Sequence, residues 1–373
     1  MSDAAYTWIT TLDGLAELAA PAAAAPWIAL DTESNSRFVY REQVCLLQLN
    51  LGGALYLVDT LELPCDPSAL APLKAVLEDA SKPLYLHGAE YDVACLKRDY
   101  EIELRGVFDT QQAASLLGFE RSGYGAVVEA ITETVLPKEH STYDWGQRPI
   151  DADALAYALD DVVYLPEVAA ALQAQVSEAD LDEEVAIANE AVEAASPHSA
   201  GFDPTSVFRI KGVGRLGRDK LAVLVALHRW RDEKAKEVNC PPGRMINNEA
   251  LIQLAKYTPT NFSSLKRVRL SGRVLREHGD DLLDAVKAAI EEPPTVPEPP
   301  ARREADPTEQ EREKRLKDWR RRESERRKVT LQVVLPARSL DYLKKNPRSE
   351  FSEVPQMGAK RTSLYGTAIR KLL

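Results

Sequence analysis

The chain has 373 residues, enough for two or three domains at roughly 150 residues each, and its 45% hydrophobic and 28% charged content excludes a disordered chain. The longest apolar run, Leu18 to Leu30, is interrupted by Pro21 and Pro26, so no segment offers the roughly 18 apolar residues that span a bilayer. The net charge of −11 is unevenly divided: residues 1–200 carry 10 basic and 34 acidic side chains, a net of −24, whereas residues 201–373 carry 37 and 24, a net of +13 that could attract a polyanion.

In chain order, Trp27 to Leu30 reads as a short strand ending in Asp31. Val44 to Leu49 and Ala54 to Val58 read as a hairpin around Asn50, Gly52 and Gly53. Leu70, Leu73, Val76 and Leu77 have helical spacing within 68–77. Leu84 to Leu86 is a further strand, followed by a helix over 88–97, a brief strand at Val107-Phe108 and a helix over 110–117. The next helix runs from Ala152 to about Leu165, where Pro166 either kinks it or starts a new helix reaching Ala174. Strands alternating with helices predict a mixed-sheet α/β domain over 1–205, closed by the acidic and then polar stretch 177–205. Residues 206–291 read as short helices punctuated by Pro241-Pro242-Gly243 and Pro259. A stiff proline-rich linker follows over 292–304, then a second small helical domain over 305–373 that opens on an arginine-rich helix.

Three places could carry chemistry. Asp31 and Glu33 lie two apart on an extended strand and project to one side. At roughly 4 Å, like charges repel by about 4 kcal/mol at an effective dielectric near 20, so a proton, a basic partner or a bound cation must offset them. Asp92 follows His87 into the first turns of a helix, where the dipole favours a carboxylate. Tyr157 and Asp161 lie four apart on one helix face, with Asp160 as the rival acid a quarter turn away. Each has an ordinary explanation when read alone: a surface turn, a helix start, a helix surface pair.

Their order changes the reading. DxE on a first strand, an Asp after a later strand and Y-x-x-x-D on a late helix resemble the DEDDy branch of 3′–5′ exonucleases. More narrowly, Ser141-Thr-Tyr-Asp-Trp-Gly-Gln-Arg-Pro-Ile150, then Tyr157-Ala-Leu-Asp-Asp-Val-Val-Tyr-Leu165, resembles the ribonuclease D family, as does Leu86-His87 through Asp92. Arg218, Leu221, Leu224, Trp230-Arg231, Ala235, Pro241-Pro242 and the Leu251-to-Pro259 segment are similar to the HRDC module of that family and of some helicases. The sequence departs from the pattern at the polar Ser34-Asn35-Ser36 after Glu33 and at Tyr143.

The resemblance implies an α/β ribonuclease H-like mixed-sheet exonuclease domain followed by two small all-α HRDC-like domains. It implies two divalent cations, Mg²⁺ or Mn²⁺, about 3.5–4 Å apart. Asp31 would bridge them, Glu33 and Asp161 would complete the water-activating ion, and Asp92 would hold the second through water. Tyr157 would orient the attacking water, since a phenol with a reference pKa near 10 is a poor base. Thr32, His87 and Arg148 are candidate substrate-binding residues. The expected activity is 3′–5′ exoribonuclease cleavage of tRNA precursors or other structured RNA 3′ ends, releasing 5′-mononucleotides. The alternatives are a DEDDy exodeoxyribonuclease and a non-catalytic nucleic-acid-binding protein, with the RNA-versus-DNA choice resting on 2′-OH contacts. Arg320, Arg321, Arg322, Arg326, Arg327 and Lys328 could meet phosphate, or could pair internally, as Glu323 and Arg327 are spaced to do. Cys45, Cys65, Cys95 and Cys240 show no CxxC spacing, and Met1-Ser2-Asp3 lacks the basic head of a secretory signal. A cytoplasmic monomer with no membrane partner is expected.

Overall fold

The computed structural model describes residues 5–137, 142–197, 201–300 and 306–373; Ser141 and residues 301–305 lie outside the described residues. In chain order the first elements are β1 (Tyr6–Ile9), α1 (Leu12–Ala24), β2 (Ile28–Ser34), β3 (Val44–Leu51), β4 (Ala54–Val58), α2 (Ala71–Leu77) and β5 (Leu84–Leu86). They continue with α3 (Glu90–Tyr100), β6 (Val107–Asp109), α4 (Thr110–Leu117), α5 (Tyr124–Thr132), α6 (Ala152–Val163), α7 (Leu165–Glu178) and α8 (Asp182–Glu193). The strands form one 6-stranded sheet in the order β1-β4-β3-β2-β5-β6. β2, β3 and β4 pair antiparallel, and β1·β4, β2·β5 and β5·β6 pair parallel, so the sheet is mixed.

β3 is buried along all 8 residues, as a central strand covered on both faces must be. Side-chain alternation divides β2 between two cores. Ile28 and Leu30 pack with Leu18, Leu73 and Val93 of α1, α2 and α3, while Ala29 packs with Ala158 and Val162 of α6. The β3–β4 hairpin turns at Gly52 and Gly53, whose φ values of +59° and +108° suit glycine, and Asn50 Oδ1 accepts from the Gly53 amide at 2.9 Å.

Several elements differ from expectation. β2 runs past Leu30 to Ser34, because Glu33 still pairs with Leu46 before the register shifts at Ser34. β1 and α1 were not predicted. β1 is an edge strand added parallel to β4, and α1 starts where Thr11 Oγ1 accepts from the Gly14 amide at 3.1 Å. Pro166 opens α7, which continues to Glu178. The acidic stretch read as a boundary contains α8, whose Val185 packs with Leu172 and Val176 of α7.

The chain forms two compact units: Met1–Ser34, Gln43–His198 and Ala305–Leu373 make the first, Asn35–Glu42 and Ser199–Glu304 the second. The second contains α9 (Arg218–Glu237), α10 (Pro242–Met245), α11 (Asn248–Tyr257), α12 (Phe262–Leu265) and α13 (Gly272–Glu291) around Leu224, Leu227, Leu251, Leu254 and Leu282. Within it, Tyr40 Oη donates to Asp232 Oδ2 at 2.8 Å.

The tail has α14 (Pro307–Arg327), α15 (Leu331–Val334), α16 (Ala337–Lys345) and α17 (Gly358–Arg370) around Leu316, Val334, Leu343 and Ile369. Its long helix, one-turn helix and medium helix repeat the order of α9, α10 and α11. Sequence reading set 305–373 apart as a further domain, whereas it packs into the first unit. Val333 enters the core of α4, α5, α7 and α8. Lys360 Nζ lies 3.2 Å from the buried Glu184 carboxylate and 3.1 Å from Asp180. These two contacts are invisible to composition. No described helix is long and apolar enough to cross a membrane.

Candidate active site

Because Ala29 faces α6, alternation turns Asp31 and Glu33 toward the same helix. Four-residue spacing returns Tyr157 and Asp161 on one face of α6, which packs on β2 and β3. One carboxylate oxygen from each of Asp31, Glu33 and Asp161 lies within 4.8 Å of the others. Burial, followed by the charges of Asp92, Asp161 and Glu33, holds Asp31 well above the usual carboxylate range. Burial with Asp161 and Asp92 pushes Glu33 up to about 9, and burial with Asp160 and Asp92 pushes Asp161 up to about 8. Three converging carboxylates fit a hard divalent cation, which prefers oxygen donors.

Asp92 stands in the first turn of α3, buried, where it accepts a hydrogen bond from the Thr32 hydroxyl. Burial raises it to about 6. It is near enough to raise Asp31 yet lies outside the three-carboxylate cluster. The strand-to-helix turn before α3 is fixed by Asp109, whose carboxylate accepts from the Gly88 amide at 2.9 Å and the Ala89 amide at 3.0 Å. Gly88 there has φ of +69°.

Tyr157 lies beside the cluster. Burial and the charges of Asp161, Glu33 and Asp31 raise its phenol well above the usual range, so it stays protonated at neutral pH.

Of the expected substrate-binding residues, Thr32 and Arg148 are engaged within the protein and His87 only in part, its buried Nε2 having no hydrogen-bond partner among the described residues. Thr32 projects to the face opposite Asp31 and Glu33 and is buried, its hydroxyl held by Asp92. Arg148 uses all five N–H donors of its guanidinium within the protein. Two go to Asp59 at 2.6 Å each, and the others to the carbonyls of Cys45, Trp145 and Gln147. It therefore braces the loop after Trp145 and has no donor left for phosphate. His87 Nδ1 lies 2.8 Å from Thr110 Oγ1, and its ring packs 5.2 Å from that of Tyr124. Burial lowers its pKa, and its main charged neighbour is Asp109, not the acid cluster.

Sequence reading missed a wall of the site. A cleft of about 560 Å³ is lined by Arg121, Gly123, Tyr124, Leu136, Tyr157 and Asp161, among others. Tyr124 Oη donates to the Asp160 carbonyl at 3.0 Å, and burial with the charges of Asp161 and Asp31 raises that phenol too. The usable signal was Ser122-Gly123-Tyr124-Gly125, an aromatic residue among small ones at a helix start. The two departures from the family pattern have partners: Ser34 Oγ lies 2.7 Å from Tyr91 Oη, and Tyr143 Oη accepts from the Asp151 amide at 3.1 Å.

Comparison with known proteins agrees with this geometry. Residues 6–177 match a family model described as 3′–5′ exonuclease, and residues 220–286 match the HRDC domain. Ribonuclease D of Cronobacter turicensis is 30% identical over 375 residues, covering 98% of this chain and 99% of the relative. Ribonuclease D of Escherichia coli is 32% identical over 299 residues, covering 79% and 76%. The crystal structure of Escherichia coli RNase D, an exoribonuclease involved in structured RNA processing, superposes with a TM-score of 0.72 at 28% identity over 99% of both chains.

Proposed function

The chain belongs to the ribonuclease D family, and from that premise we infer that it is a 3′–5′ exoribonuclease. The observation that carries the reading is the cluster of Asp31, Glu33 and Asp161 with Tyr157 beside it. In this reading Asp31, Glu33, Asp161 and Asp92 would hold divalent metal, two Mg²⁺ or Mn²⁺ ions in all. When bound, the ions supply charge neutralisation at the phosphodiester and acidify the attacking water. Tyr157 hydrogen-bonds to that water and orients it toward the phosphorus. Tyr124 closes the cleft behind it, and Arg121, exposed at the same cleft, offers a donor to the incoming backbone. Cleavage at the 3′ end releases 5′-mononucleotides.

The substrates are tRNA precursors or other structured RNA. The tail is read as a second HRDC-like copy, since α14 to α16 repeat the order of α9 to α11. Many of its arginines are engaged: Arg326 with Glu323, Arg321 with Asp318, Arg320 with the Leu331 carbonyl, and Arg327 over the Tyr365 ring. Phosphate contact therefore falls to the exposed Arg315, Arg322 and Lys328. A cytoplasmic monomer completes the reading, in keeping with four free cysteines.

The test compares wild type, Asp31→Ala and Tyr157→Phe on 5′-labelled RNA and DNA, with Mg²⁺ or Mn²⁺ and with EDTA. Asp31→Ala is expected to lower kcat by about 10³-fold, the scale of losing one preorganised electrostatic group, and chelation to abolish cleavage. Tyr157→Phe should slow turnover by about 10²-fold while leaving Mn²⁺ binding intact. Cleavage persisting in EDTA removes the metal reading, and equal turnover of DNA removes the restriction to RNA.

A further inference from the structure

Gln48 is fully buried, and among the described residues neither its side-chain nitrogen nor its oxygen has a hydrogen-bond partner. A buried amide left unpaired is costly, so its place in the sheet matters. Gln48 stands directly opposite Asp31 in the antiparallel pair of β2 and β3. Residues so paired project to one face with Cβ atoms about 4.5–5.5 Å apart. Two residues further along the same face of β3, Asn50 Nδ2 donates to the Val162 carbonyl of α6 at 3.1 Å. This row of β3 therefore looks toward the helix that carries Tyr157 and Asp161. On its other side Gln48 pairs with Leu57 of β4, and Ala158 and Val162 of α6 pack on the same face. The polar group that strand register sets beside Gln48 is the Asp31 carboxylate.

We propose that Gln48 is a positioning residue for the cation site. With a cation at the site, its amide nitrogen donates to the Asp31 carboxylate and sets the angle at which that carboxylate meets the ion; without one, the amide has no partner among the described residues. A neutral amide suits this place because it steers a carboxylate without competing with the ion, as a lysine would. The proposal rests on Asp31, Glu33 and Asp161 forming a cation site. Groups that orient metal ligands in this way typically change metal affinity by about 10–100-fold when removed.

Gln48→Met keeps the length of the side chain and deletes both polar atoms; Gln48→Leu is the second variant. Mn²⁺ binding to the full chain without RNA is followed by electron paramagnetic resonance and titration calorimetry, and thermal melting is recorded in EDTA. Both variants should bind Mn²⁺ about 10-fold more weakly or worse. Their melting temperatures in EDTA should equal or exceed that of wild type, since an unpaired amide has left the core. Unchanged Mn²⁺ affinity overturns the proposal. So does weaker binding accompanied by a lower melting temperature in EDTA, the pattern of a packing role alone. If wild type itself fails to bind Mn²⁺, the cation-site reading falls first and this proposal with it.

Discussion

Asp31, Glu33 and Asp161 are held above the ordinary carboxylate range, so the folded chain keeps protons that an unfolded chain has released. Linkage then fixes the sign: these groups favour folding fully below their unfolded pKa, about 4, and that contribution is lost as pH rises through the folded values of about 8 for Asp161 and about 9 for Glu33. In EDTA, the melting temperature should therefore fall by on the order of 5 °C between about pH 5 and pH 9. Saturating Mn²⁺ should flatten the decline, because the cation replaces the protons, and Asp161→Asn should flatten it without metal. A level profile in EDTA would show that the carboxylates do not repel as described. These residues were legible through the order of their motifs: each alone has an ordinary explanation, and only DxE on a strand, an Asp after a later strand and Y-x-x-x-D on a helix, taken together, resemble the exonuclease pattern. Thr32, His87 and Arg148 were legible only as polar residues near a motif. The direction of each side chain depended on strand alternation and on partners such as Asp59 and Asp92, far away in sequence.

Arg148 belongs to the scale of elements, since it ties the loop around Trp145 to the end of β4. The Asp59 carboxylate that it grips is 2% exposed. Arg148→Ala would leave that charge buried without its partner, a loss of about 3–5 kcal/mol. Urea unfolding should register the loss, while the KM for RNA of the remaining folded enzyme stays within about twofold. Normal stability with a KM raised tenfold would instead assign Arg148 to the substrate. The elements that sequence reading found, β2 to β6, α3 and α6, have alternating or helical apolar positions. Those it missed lack that contrast. β1 is an edge strand with Tyr6 and Trp8 partly exposed. α5 begins with glycines on either side of Tyr124, and α8 opens on three consecutive acids that resemble a solvated boundary. The loss mattered for function, because α5 supplies the cleft wall.

At the scale of the whole molecule, residues 1–200 carry a net charge of −24, so the proposed reading gives most of the attraction for a polyanion to the basic residues of 201–373. Charge reversal of Arg315, Arg322 and Lys328 together should weaken binding of long RNA and reduce the slope of log K against log salt by about 0.7–0.9 per lost contact. Cleavage of a short oligonucleotide at low salt should be unaffected. Parallel losses on both substrates would mean that these residues act on the fold. The shared core at Val333 makes such point changes a cleaner probe than truncation of the tail. The acids come from β2, α3 and α6, so their positions span residues 31 to 161. On the proposed reading, a nascent chain owns no nucleolytic centre until its sixth helix has docked. Until then, on that reading, a half-made copy is harmless to the transcripts around it, and a divalent cation has nothing to grasp.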